Sequence, residues 1–74
     1  MIDSANKLAR DYGYAGAKDC NIYFDGKRVF IAYFDEVRYT GLPQFILVSE
    51  EKKADFAMPV ENEKVFALYA SSGH

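Results

Sequence analysis

The side chains that most often perform catalysis or bind metals are few in this chain and lie far apart. It has one cysteine, Cys20, and one histidine, His74, which is its last residue. A structural zinc site needs about four cysteine or histidine ligands at set spacings. A catalytic thiol needs a neighbouring base or positive charge. The sequence therefore predicts no metal site, and it favours a buried, unreactive role for Cys20.

Acidic residues occur in pairs at three places, from which a general acid–base site could be built. The pairs are Asp35 with Glu36, Glu50 with Glu51, and Glu61 with Glu63. Such a site needs a pocket that separates the two pKa values, whereas acidic residues in loops are mostly solvated. The segment Gly13-Tyr14-Ala15-Gly16 has two glycines, but it lacks the lysine and hydroxyl residue of a phosphate loop. We therefore predict no catalytic residue, no cofactor and no enzyme activity.

Aromatic and basic side chains near the middle of the chain support a different hypothesis, which is nucleic-acid binding. Tyr23, Arg28 and Tyr33 fall on two adjoining predicted strands, and single-stranded nucleic acids stack their bases on sheet aromatics. Binding to phosphates normally requires a basic patch. Here nine Lys and Arg residues face eleven Asp and Glu residues, for a net charge of −2. Nucleic-acid association is therefore the alternative function, and salt-dependent binding of oligonucleotides is the measurement that tests it.

The first half of the fold can be predicted from length and periodicity. The chain has 74 residues, of which 50% are hydrophobic and 16% aromatic, which is enough for one small domain over residues 1–74. Asp3 or Ser4 is expected to cap a first helix, and Gly13 is expected to end it. The apolar face of this helix is Ala5, Leu8, Ala9 and Tyr12. Residues 14–19 are predicted to form a loop.

The second half of the prediction rests on a hairpin. Asp25-Gly26 stands between two runs of β-branched and aromatic residues, 20–25 and 28–34. Further strands are predicted at 44–49 and 54–58. Segment 60–70 suits a helix or a fifth strand, and helix is favoured because Pro59 fits a first helical turn. Residues 71–74 are predicted to form a frayed tail. The predicted fold is α+β, with both helices on one face of a four-stranded antiparallel meander.

Both faces of the predicted sheet are apolar, although an uncovered face is expected to be polar. Alternation along the second strand places Val29, Ile31 and Tyr33 opposite Phe30, Ala32 and Phe34. An uncovered apolar patch would mark an interaction site, so we predict a homodimer or a protein-partner interface. Its candidate residues are Tyr23, Val29, Ile31, Tyr33, Phe45 and Leu47. Alternatively, residues 14–19 and 35–43 fold over this face, with Val37, Tyr39 and Leu42 as covering side chains.

The sequence also predicts a cytoplasmic location. The start of the chain, Met1-Ile2-Asp3-Ser4, lacks the basic leader and apolar run of a signal peptide. No apolar stretch approaches the ~20 residues of a membrane helix, and a lone cysteine forms no intramolecular disulfide. The predicted function is that of a small non-enzymatic protein-interaction domain with no metal, cofactor or membrane partner.

Overall fold

The computed structural model describes residues 2–34 and 43–72 of the chain. Its elements are α1 (Ile2–Asp11), β1 (Gly16–Phe24), β2 (Lys27–Tyr33), β3 (Phe45–Val48), β4 (Ala54–Phe56) and α2 (Pro59–Ser71). The four strands form one antiparallel sheet in the order β1-β2-β3-β4. The predicted α+β architecture, with a four-stranded meander between two helices, is confirmed.

The hairpin and the last helix form for the local reasons that the sequence indicates. Asp25 and Gly26 have φ values of 52° and 75°, which is the backbone required at both central positions of a type I′ turn. Segment 59–71 is helical and not a fifth strand. Its first turn is fixed by the Met58 N–H, which donates to Glu61 Oε1 at 3.1 Å, as in a capping box. Within the described residues, neither helix is long and apolar enough to span a membrane.

Three predicted boundaries are wrong. α1 begins at Ile2, so Asp3 and Ser4 lie inside the helix, where Asp3 interacts favourably with the positive end of the helix dipole. Residues 16–19 are strand and not loop, because β1 continues to pair with β2 as far as Gly16. The helix α2 continues to Ser71, whereas the sequence predicts that Ser71 belongs to the frayed tail. Of the remaining predicted segments, 35–42 and 73–74 lie outside the described residues.

Each face of the sheet is covered by its own helix, so the prediction that both helices share one face is wrong. The core under α1 contains Ala5, Ala9, Phe30, Ile46 and Val48. The core under α2 contains Cys20, Val29, Phe45, Leu47 and Val65. Alternating apolar residues on β2 and β3 create two apolar faces, and one helix on each removes both from water. All four residues of β3 are buried as a result.

Candidate functional site

The predicted interface on the sheet is mostly occupied by the chain itself. Val29, Phe45 and Leu47 are 0%, 0% and 3% exposed beneath α2. Ile31 and Tyr33 are half-buried on the same strand face. The interface prediction is therefore wrong for the three buried residues, because the helix covers the face that the sequence pattern leaves open. The covering element is α2 and not the segment 14–19.

The three residues of the nucleic-acid hypothesis do not share one surface. Tyr23 pairs with Arg28 across the hairpin, and Arg28 pairs with Val48 of the core under α1. Tyr33 lies five positions after Arg28 on the same strand, so it points to the opposite face. A base-stacking platform needs its aromatic side chains on one face. Tyr33 therefore cannot extend a platform that begins at Tyr23.

A polar cluster surrounds Arg28. Its Nε and Nη2 donate to the two carboxylate oxygens of Asp19, each at 2.9 Å, and Nη2 also donates to Asn21 Oδ1 at 2.9 Å. The guanidinium carbon lies 5.0 Å from the ring centroid of Tyr23. Regular pairing with β2 is interrupted between Asp19 and Tyr23, where Asn21 has a φ of 59°. The hydrogen bonds of Arg28 thus hold the β-bulge of β1 against β2, and the carboxylate of Asp19 neutralises the charge of the guanidinium.

Asp19 gives the fold a dependence on pH. The two hydrogen bonds from Arg28 hold the pKa of the Asp19 carboxyl below its usual value. A lowered pKa in the folded state stabilises the fold above the unfolded pKa of ~3.9, and this stabilisation is lost as the pH falls through the folded pKa. We expect Asp19→Asn to lower the urea midpoint slightly at neutral pH and to have no effect in strong acid.

Urea unfolding of wild type and Asp19→Asn across this pH range checks the expectation. Asp11→Asn is the matched control, because Asp11 pairs only with Lys7 at 3.1 Å and both side chains are largely exposed. A difference between wild type and Asp19→Asn that stayed constant from neutral to acid pH would contradict the role given to the ion pair.

Cys20 lies buried in the core under α2, as the sequence indicates. Burial, together with the negative charge of Asp19, raises the pKa of its thiol to about 11. Such a thiol is protonated at neutral pH and is a poor nucleophile. Across residues 2–34 and 43–72, no three His, Cys, Asp or Glu side chains are grouped so that they could hold a metal ion.

Asn62 is a buried polar residue of α2 that the sequence analysis does not identify. Its Oδ1 accepts from the Phe45 N–H at 2.9 Å, and its Nδ2 donates to the Pro43 carbonyl at 2.8 Å. These two bonds replace the pairing that a neighbouring strand would give the start of β3. Asn62 lies three residues before Val65 and seven before Tyr69, hence on the apolar stripe of the helix. Its position as a polar residue inside an apolar helix stripe is the sequence signal that could have identified Asn62.

The two edges of the sheet are protected to different degrees. On β1, the Ala17 N–H donates to Asn6 Oδ1 at 2.7 Å, and the Asn21 N–H donates to Asp19 Oδ1 at 2.8 Å. The bulge between Asp19 and Tyr23 further breaks the regularity of this edge. Side-chain caps and bulges of this kind prevent an edge strand from pairing with another chain.

The backbone of β4 is directed outward at alternate residues. The Ser49 N–H donates to the Lys53 carbonyl, and the Ala57 N–H donates to the Phe45 carbonyl, both at 3.0 Å. Odd-numbered residues of this segment therefore bond to β3, and Ala54 and Phe56 direct their N–H and C=O groups away from the sheet. Within the described ranges, no strand pairs with this side of β4.

Apolar side chains gather beside this open edge. Tyr12 packs edge-on against Phe56, with ring centroids 5.0 Å apart, yet it is 69% exposed. Met58 and Val60, which follow the strand directly, are 66% and 64% exposed. A depression of about 280 Å³ lies between α1 and β4. Its lining contains Leu8 and Ala54, together with the polar residues Ser4, Lys7, Asp11 and Lys52. We call this region the β4 margin: the outer edge of β4 with Tyr12, Met58 and Val60.

Comparisons with protein-family models, with curated proteins and with solved structures found no significant match to this chain. Its function must therefore be inferred from the geometry of its own residues.

Proposed function

We propose that this chain is a small non-enzymatic protein-interaction domain whose contact surface is the β4 margin. The observation that carries this proposal is that the outer edge of β4, which pairs with no strand of residues 2–34 and 43–72, coincides with Tyr12, Met58 and Val60. These are the three most exposed large apolar side chains among the described residues. Tyrosine and methionine are enriched in interface cores, and a methionine side chain adapts to partners of different shape.

The β4 margin has the parts that recognition by strand addition requires. In that mode, backbone groups of an edge strand bind an extended segment, and flanking side chains provide the specificity. Ala54 and Phe56 supply the backbone groups, since they alternate with the residues that bond to β3. The depression beside Leu8 and Ala54 provides space for a side chain of the bound segment. A protein partner is thus favoured over a small molecule.

Nucleic-acid association through Tyr23 and Arg28 has weaker support. Tyr23 is exposed and lies against the Arg28 guanidinium, which is a suitable arrangement for stacking. However, the carboxylate of Asp19 occupies two of the guanidinium donors at 2.9 Å. A phosphate would have to displace that carboxylate, and the net charge of −2 opposes its approach.

Paired affinity capture tests the proposed surface. We expect that proteins retained by the wild-type chain are lost when Tyr12 and Met58 are both replaced by serine. The loss should be at least about tenfold, because interface anchors contribute more than about 1.4 kcal/mol each. Tyr23→Ser is the matched control, since it removes an exposed tyrosine that lies far from β4 in the sheet order. It should retain the same proteins as wild type.

Retention of the same proteins by wild type and by the Tyr12→Ser, Met58→Ser double variant would contradict the proposal. If Tyr23→Ser alone abolished binding, the contact surface would lie at the β1–β2 hairpin and not at the β4 margin. Far-ultraviolet circular dichroism of each variant separates lost binding from lost folding. All three positions are exposed, so the fold should be retained.

A further inference from the structure

We infer that the occupant of the β4 margin is a second copy of this chain, paired antiparallel strand to strand about a twofold axis at Ala54. This inference rests on the proposed function, since it names the partner of the same surface. Joining the two edges in this way would give one continuous sheet of eight strands across the pair. The inference is carried by the backbone alternation of β4 and by the charges on either side of Ala54.

Backbone alternation restricts how two copies of β4 can pair. Only the outward groups, those of Ala54 and Phe56, have no backbone partner in the part of the chain that the structure describes, so they can bond to another strand. Within residues 53–57, even-numbered residues must therefore lie opposite even-numbered residues of the second copy, and odd-numbered residues opposite odd-numbered ones. Lys52 lies outside this pattern, because its N–H donates to the Ser49 carbonyl at 2.9 Å. Two copies of β4 related by a twofold axis can then pair in only a few registers. In each register the axis passes at or beside a particular residue.

Charge distinguishes the registers that are centred on residues 53, 54 and 55. With the axis at Lys53, the two lysines face each other, and with the axis at Asp55, the two aspartates do. With the axis at Ala54, Asp55 of each copy faces Lys53 of the other, which gives two reciprocal ion pairs. Asp55 and Lys53 are both exposed and available for this pairing. Opposite charges across an antiparallel pair stabilise it, and like charges directly opposite destabilise it.

The same residues limit how strong the pairing can be. Lysines and short length are the usual means by which edge strands avoid unspecific pairing, and β4 has three residues preceded by Lys52 and Lys53. They oppose the registers centred on Lys53 and on Asp55, and they favour the one in which Asp55 neutralises Lys53. The contact would be small, so we expect a reversible dimer that forms in the micromolar-to-millimolar range. Tyr12 and Met58 would border the joined strands and add apolar area.

Sedimentation equilibrium of the full chain, over concentrations that reach the millimolar range, tests the inference. Wild type should show a monomer–dimer equilibrium, and Asp55→Lys and Lys53→Asp should each weaken it at least about tenfold. Mixing these two variants should restore the dimer, because every facing pair then has opposite charges. The double variant with both changes in one chain should also dimerise. Ala54→Pro should abolish pairing, since it removes an outward N–H at a position that tolerates proline.

A wild-type chain that stays monomeric throughout would overturn the inference, as would charge-reversal variants that dimerise like wild type or a mixture that stays monomeric. These results are distinguishable from failure of the proposed function. If the chain is monomeric but capture still depends on Tyr12 and Met58, the surface stands and its partner is a different protein. Circular dichroism melting of each variant confirms that the exposed substitutions leave the fold intact.

Discussion

Alanine at Phe30 and alanine at Phe45 are each expected to unfold a large fraction of the chain. The two side chains lie on opposite faces of the sheet, and their exposed fractions are 1% and 0%. Removing a buried phenylalanine typically costs about 3–5 kcal/mol. A domain of 74 residues has a total stability of roughly 4–11 kcal/mol. Either substitution therefore removes much of the free energy of unfolding.

Comparing the two variants tests the two-sided core directly. If only one sheet face were covered, as the sequence suggests, one of the two substitutions would be nearly neutral. With α1 and α2 on opposite faces, both should lower the urea midpoint strongly and leave the slope of the transition unchanged. Phe45 also makes an edge-to-face contact with Tyr69 of α2, at 5.4 Å between ring centroids. A neutral Phe45→Ala would mean that α2 leaves this face open.

Tyr23→Ala is the control for loss of an aromatic ring as such. This ring is exposed and contacts only the edge of the fold through Arg28. We expect a change much smaller than at either phenylalanine, close to the range of about 0.5 kcal/mol that is usual for surface positions. If Tyr23→Ala lowered the free energy of unfolding as much as Phe45→Ala, the hairpin tip would be part of the stabilising core.

Local signals predict most of the elements correctly because they act over a few residues. Asp25-Gly26 specifies the hairpin, since both positions need positive φ. Pro59 and Glu61 specify the start of α2. The placement of the helices depends on a longer-range balance. The alternation on β2 indicates that both faces of the sheet are apolar. This pattern is the same whether a helix of the same chain or another molecule covers the second face.

The β4 margin could not be predicted from sequence for a related reason. The sequence pattern places Tyr12 on the apolar face of the first helix. The exposure of its side chain follows only from where α1 ends relative to Phe56. The sequence pattern assigns Met58 to the end of a strand, whereas it lies between β4 and α2 and is exposed. Val60 lies in the first turn of α2, as predicted, and its side chain is exposed. An edge strand is recognisable only once the strand order is known. The apolar excess of the sequence therefore predicts an interaction surface, but three of its candidate residues, Val29, Phe45 and Leu47, are buried beneath α2.

The proposed contact surface, the β4 margin, is consistent with how the fold distributes its stability. A sheet that is packed on both faces is rigid, and rigid elements hold binding groups with little loss of entropy on association. Its edges are the positions where backbone hydrogen bonds remain to be made. On β1 these groups are capped by Asn6 and by the bulge around Asn21. Because the N–H groups of β1 are capped and its regularity is broken by the bulge, β4 is the edge from which pairing can proceed.

Asn62→Leu is expected to destabilise the fold by about 2–4 kcal/mol, although leucine suits both a helix and an apolar core. The substitution removes the side-chain acceptor of the Phe45 N–H and the side-chain donor to the Pro43 carbonyl. A buried polar backbone group left without a partner costs about 1–3 kcal/mol. Asn6→Leu is the matched control, because half-buried Asn6 accepts a single backbone N–H, that of Ala17. We expect it to cost about half as much in urea unfolding.

Asn62→Asp separates the two hydrogen bonds. At neutral pH the carboxylate still accepts from the Phe45 N–H, but it has no proton to donate to the Pro43 carbonyl, and burial disfavours its charge. When protonated, the same side chain can make both bonds. Its pKa should therefore be raised in the folded state, so the folded chain binds the extra proton more tightly than the unfolded one. The stability deficit of Asn62→Asp relative to wild type should shrink as the pH falls, and a deficit independent of pH would show that Asn62 stabilises α2 by packing alone.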